Sequence, residues 1–167
     1  MQAVQKFLKA LWTVEATICV AAFCATALAL MADVLAREFF GNGIFGAQRF
    51  AVWGNAISGL LGFALVTAER GHLRPQFADK LLPKALEPHA DRIGEVLSAV
   101  ICLGMAWYAV KFVQSSAALG ERGMAIPILV WPIQLVLVWM FLSSALRHLA
   151  FARWPELRPV PRSEVPS

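Results

Sequence analysis

Charge is what this chain has least of: 16% of its 167 residues are charged against 59% hydrophobic, with a mean hydropathy of +0.62. A soluble domain carries about 25% charged residues, so an ordinary water-soluble fold is excluded and a bilayer is the expected solvent. Cysteine is scarce too. Cys19, Cys24 and Cys102 follow no disulfide or metal-binding spacing, and at about 100° per residue Cys19 and Cys24 point to different sides of one helix, so they read as packing residues. Histidine is as sparse. Haem clasped between helices needs two imidazoles at similar depth, whereas His72 and His89 fall in a connection and His148 closes an apolar run. No nucleophile with a base, phosphate loop or paired carboxylates stands out, and neither enzymatic activity nor a cofactor or metal is expected of this chain.

What the sequence does have is long apolar runs. A bilayer core of about 30 Å needs roughly 20 apolar residues per helix, and four segments approach or meet that. The fold class is therefore all-α integral membrane protein, with four transmembrane helices over about 11–37, 48–69, 94–117 and 125–148 in a single membrane domain, 1–167. Lys6 and Lys9 ahead of an apolar stretch, with "ALA" at 27–29, resemble a signal peptide, but Glu15 interrupts the would-be apolar core, and cleavage is not expected. The Pro-rich tail, about 155–167, is expected to be disordered. In the fourth run Pro127 is expected in the first turn and Pro132 inside the helix, where it would kink it. Small residues look few there. Trp131 and Trp154 fit interfacial anchors, with Trp139 deeper against lipid or a partner.

Basic residues near span ends set orientation. Most of the 15 Lys and Arg residues, Arg147 after the fourth span among them, flank the termini and the middle connection, while Arg37, Arg49, Lys111 and Arg122 lie on the other side. Both termini and the middle connection are predicted cytoplasmic. The net charge of +4 then reflects topology, not a nucleic-acid footprint. Within that connection, "ERGHLRPQFADKLLP" repeats Leu73, Phe77 and Leu81 every four residues. That spacing predicts a short amphipathic helix on the cytoplasmic membrane surface, within about 72–86, started by Pro75 and ended by Pro83; a plain polar connector is the rival reading.

Helices in lipid associate through small residues that let backbones approach. Gly54, Ser58 and Gly62 recur at steps of four in the second span, and Ala21, Ala25 and Ala29 do so in the first. These ridges are expected to pack together, or one of them to face a partner protein. Asn55 is the strongly polar side chain well inside the second span, suited to an interhelical hydrogen bond or to substrate contact. Glu15 is placed near the inner interface, about one and two-thirds turns beyond Lys9. Asp33 and Arg37 are four apart and can pair along the helix, and Lys111 is placed where it can snorkel to the outer surface. If Glu15 lay deep in the bundle, a self-sufficient proton-coupled four-helix exporter would be an alternative; a membrane anchor for a redox complex is another.

With these elements in place, "DVLAREFF" (33–40) and "GFALVTAERGHLRPQFADKLLP" (62–83) resemble the small membrane subunit of tripartite ATP-independent periplasmic (TRAP) transporters, the Q-type or DctQ-like proteins. Asp33, Val34, Arg37, Gly62, His72, Leu82 and Pro83 match that pattern, and the resemblance covers about residues 11–146. Gln48 and Arg49 stand where the family often has a Glu pair, and Ile57 where it has Trp. The resemblance implies a sodium-coupled importer of organic acids in the bacterial inner membrane. A periplasmic binding protein would deliver the solute, and a large multi-span subunit would carry the sodium and substrate sites. The small subunit would brace that mover as a scaffold, bound to membrane lipid as well. His72 would cap or tether the surface segment or face solvent, and Asp33, Arg37, Gln48, Arg49 and Arg122 form an outer cluster that either contacts the binding protein or, as exposed charges usually do, contributes little.

Overall fold

The computed structural model describes residues 2–69, 90–123 and 128–158. Four helices account for most of them: α1 (Gln2–Phe40), α2 (Ala47–Ala68), α3 (Ala90–Leu119) and α4 (Trp131–Arg153), followed by a 3-10 turn, η1 (Pro155–Leu157). All four are long and apolar enough to cross a membrane. Lipid offers no partner to backbone N–H and C=O groups, so each segment satisfies its own by coiling. At 39 residues α1 is about 58 Å long, well beyond the hydrocarbon thickness; Lys6 and Lys9 near one end and Arg37 and Glu38 near the other belong to the parts that leave the apolar layer. The end of α3 is set by Gly120, whose φ of +61° suits glycine. There Gly120 N–H donates to Ala117 C=O and Glu121 N–H to Ser116 C=O, the paired bonds of a Schellman cap.

Packing runs in sequence across the molecule: α1 on α2, α2 on α4, and α4 on α3, so that α1 and α3 form the edges. Each seam follows alternating steps of three and four. On α3 it reads Glu95, Ala99, Cys102, Ala106, Ala109, Val113 and Ser116, all buried, and on α2 Ala47, Ala51, Gly54, Ser58 and Leu61. That is the spacing of a left-handed knobs-into-holes seam, written in small residues because close approach, not hydrophobic drive, holds helices together in lipid. The tightest point is Gly54. A Cβ there would overlap Thr26 Oγ1 and lie 3.4 Å from Ala22 C=O, and Thr26 cannot turn away without giving up its own 2.8 Å bond to that same carbonyl.

Several expectations from the sequence change. The seam of α1 is Cys19, Ala22, Thr26, Ala29 and Asp33, with Ala21 exposed, because the ridge drifts by steps of three as well as four. Gly62 is not a contact point within the chain: nothing lies within 4 Å of where its Cβ would be. Pro132 makes no mid-helix kink, since α4 starts at Trp131 and proline occupies the first turn, where its missing N–H has no helical acceptor to forgo. Small residues are not few in α4: Ser143, Ser144, Ala145, Ala150 and Ala152 form much of its buried face. Residues 155–158, assigned to the tail, instead form an ordered turn. Arg158 donates from Nε to Phe151 C=O at 3.0 Å and reaches Asp91 at 3.4 Å. The proposed surface segment with His72, Phe77 and Leu81 lies outside the described residues, as does Pro127.

Gly54→Ala is expected to lower the unfolding midpoint of the purified protein in mild detergent, and Thr26→Ala, which removes the colliding oxygen, to restore most of the loss in the double variant. Equal and additive losses from the two changes would show that the helices do not meet at this point.

Candidate functional site

The largest fully buried side chain in the described residues is Arg147, 1% exposed, and it meets Glu15, 0% exposed. Arg147 Nη2 donates to Glu15 Oε2 at 2.5 Å, while the other carboxylate oxygen accepts Trp139 Nε1–H at 3.0 Å. The second guanidinium nitrogen, Nη1, donates to Ala64 C=O at 3.2 Å and lies 3.5 Å from Ser143 Oγ. One arginine thus ties α4 to α1 through charge and to α2 through backbone. Small residues make this possible: Ala64 is fully buried, so a bigger side chain there would have to displace the guanidinium or its neighbours. A further contact extends the joint, with Ser144 Oγ 3.5 Å from Thr67 Oγ1.

The sequence placed Glu15 at a membrane interface and counted Arg147 among the basic residues flanking a span. Both are buried within the bundle. The overlooked signal is that helical, largely apolar sequence continues past each of them, back to Gln2 in α1 and on to Arg153 in α4, so neither charge marks a helix end. Opposite charges within two apolar helices, both in the half nearer the same end of the bundle, are the pattern that would have paired them. Trp139, read as facing lipid or a partner, shields the pair through its indole N–H while its ring remains 48% exposed.

Beside the pair lies a cleft of about 440 Å³ between α1, α2 and α4, lined by Val14, Ile18, Leu61, Leu135, Val138 and Leu142, with Glu15 at its margin. Its walls are almost wholly apolar. A polar solute crossing a membrane needs charged groups or hydrogen-bonding partners there, and the carboxylate at this margin is committed on both oxygens.

Two other clusters use up charges locally. Toward the end that carries both termini, His148 Nδ1 meets Glu95 Oε2 at 2.7 Å across α3 and α4, which accounts for the only histidine among the described residues. At the far end Asp33, 3% exposed, pairs with Arg37 at 2.6 Å and accepts Ile44 N–H at 2.7 Å, fastening the α1–α2 connection. Asp33 therefore leaves the outer cluster in which the sequence placed it: its carboxylate faces inward on the turn. Gln48, Arg49 and Arg122 are exposed, and the structure draws them into no shared contact with the Asp33–Arg37 pair. Lys111 is exposed with its ammonium 5.1 Å from the Trp107 ring centroid. Of the packing candidates, Gly54 and Ser58 are buried, whereas Asn55 is exposed and its side chain finds no hydrogen-bond partner among the described residues. No cluster of three or more metal-ligating groups occurs in the described residues.

A family model described as "Tripartite ATP-independent periplasmic transporters, DctQ component" matches residues 26–154. This chain belongs to that family. The match takes in the C-terminal part of α1, all of α2, α3 and α4, and the connection containing His72. In a direct comparison with curated proteins nothing matches. The DctQ component of this transporter class is not an enzyme family, and the four apolar helices suit a multi-pass membrane protein.

Removing one member of the buried pair, by Arg147→Ala or Glu15→Ala, is expected to destabilise the protein by roughly 3–5 kcal/mol. The double change Glu15→Leu with Arg147→Met is expected to recover more than half of that, because the stranded charge, not the lost bond, carries the penalty. Unfolding in graded denaturing detergent reads the cycle; a double variant as weak as the singles would contradict it.

Proposed function

We propose that this DctQ component is the small scaffold subunit of a TRAP-type secondary transporter, bracing a larger multi-span subunit that carries cargo. The observation that supports a bracing role is how the buried charges are spent. Glu15, Arg147, Asp33 and Glu95 each bond within the chain, and the cleft beside Glu15 has almost wholly apolar walls. Groups that bind and release an ion must be able to exchange partners, and these are held in closed pairs. In the finer reading, the large subunit carries the sodium and substrate sites, a periplasmic binding protein supplies an organic acid, and the complex sits in the bacterial inner membrane. Both termini would be cytoplasmic, with the exposed Lys6, Lys9 and Arg153 toward anionic lipid at about 1 kcal/mol each.

The exporter reading required a deep Glu15, and the structure does bury it. Both carboxylate oxygens are taken, one by Arg147 and one by the Trp139 indole, which supports reading Glu15 as a strut between helices.

Purified from mild detergent, the tagged chain is expected to bring a much larger multi-span subunit with it in equal amount. Accumulation of solute against a gradient by liposomes holding this chain alone would overturn the proposal.

A further inference from the structure

α2 has three sides. One meets α1 through Ala51, Gly54 and Ser58, and a second meets α4 near Ala64 and Thr67. The third carries Val52, Asn55, Gly59, Gly62 and Val66, at intervals of three and four. Val52, Asn55, Gly59 and Val66 are exposed, and neither Gly59 nor Gly62 has any atom within 4 Å of where a Cβ would sit. Phe63, whose ring stacks edge-on against Phe141 of α4 at 6.5 Å, borders this side.

Asn55 is the feature that decides what covers it. It lies eight residues into α2, about 12 Å from the helix start, and so within the hydrocarbon layer of a bilayer about 30 Å deep. Its side-chain amide has no partner among the described residues. An amide in hydrocarbon without hydrogen bonds is costly, and a lipid chain has neither donor nor acceptor to offer it. The complementary surface must present a hydrogen-bonding group at that depth, and the two glycines leave room for a helix backbone to approach closely.

We infer that the Asn55–Gly59–Gly62 side of α2 is the docking surface for a transmembrane helix of the large partner subunit, which supplies a polar group to the Asn55 amide. This rests on the scaffold reading above and adds which face is used. It also gives Gly62, matched by the family pattern yet without a contact inside the chain, a physical reason to be glycine: it flanks the groove that the partner helix fills.

The test uses the whole chain co-expressed with a separately tagged large subunit. Asn55→Leu is expected to lower the recovered large subunit about threefold, interhelical hydrogen bonds being individually modest, and Gly59→Leu tenfold or more. The unfolding midpoint of the isolated chain should not fall in either, since neither position packs internally. A photoreactive Val52→benzoylphenylalanine variant should crosslink to the large subunit in membranes. An adduct of two copies of this chain, or recovery that survives both substitutions while the wild type still brings the large subunit down, would overturn this surface alone. Failure of the wild type to recover any large subunit would overturn it together with the functional proposal.

Discussion

A carboxylate and a guanidinium can occupy the same apolar interior only as a pair, and the Glu15–Arg147 contact is where this chain meets that constraint. On insertion scales each charge costs about 2.5–3.5 kcal/mol at the centre of a membrane helix. Meeting each other, an indole N–H and a backbone carbonyl removes most of the reason to stay near water. The gain is geometric more than energetic. Buried ion pairs seldom stabilise beyond an apolar replacement, but this one has a single arrangement, and it brings α1 and α4 together across the flank of α2. Small-residue seams alone could slide by a turn with little penalty. A charge pair cannot.

That fixed register gives the other elements their places. With α1, α2 and α4 locked at one point, the alanine and serine seams extend away from it in both directions. The far end is closed separately by Asp33, which accepts the Ile44 amide and so fixes the short connection between α1 and α2. Toward the termini, Glu95 with His148 and Asp91 with Arg158 fasten α3 and η1 to the rest. The helices are thereby tied near their ends and at one interior level, and the chain gains a stiffness that apolar packing in lipid would not supply.

The sequence made the architecture legible because hydrocarbon thickness leaves few options: apolar runs of membrane length must be helices, and four of them were found. Family membership was legible as well, from Asp33, Arg37, Gly62 and His72 in order. Errors came wherever facing had to be judged from linear position. The contact between Arg147 and Glu15 was missed because each stands near the end of an apolar run and was read as a lone charge. Pro132 was read as a kink because the helix was started six residues early. Gly54 and Gly62 looked equivalent at steps of four, yet only Gly54 faces Thr26; at 3.6 residues per turn a ridge of fours rotates off the seam within two turns.

The two glycines also show how one helix can serve two purposes. Gly54 lets α1 close onto α2, and any added carbon there meets an atom that is itself held in place. Gly62 and Gly59 sit on another side, open to whatever lies outside the chain. If α2 existed only to hold this bundle together, that outer side would be expected to carry large apolar residues throughout, as the outward sides of α1 and α3 do with Phe23, Leu28, Ile101 and Phe112. Between Val52 and Val66 it carries an amide and two glycines instead. A surface that forgoes both apolar area and backbone shielding in lipid is stable only when something more polar and more closely fitting than lipid covers it, and in a membrane that means another helix.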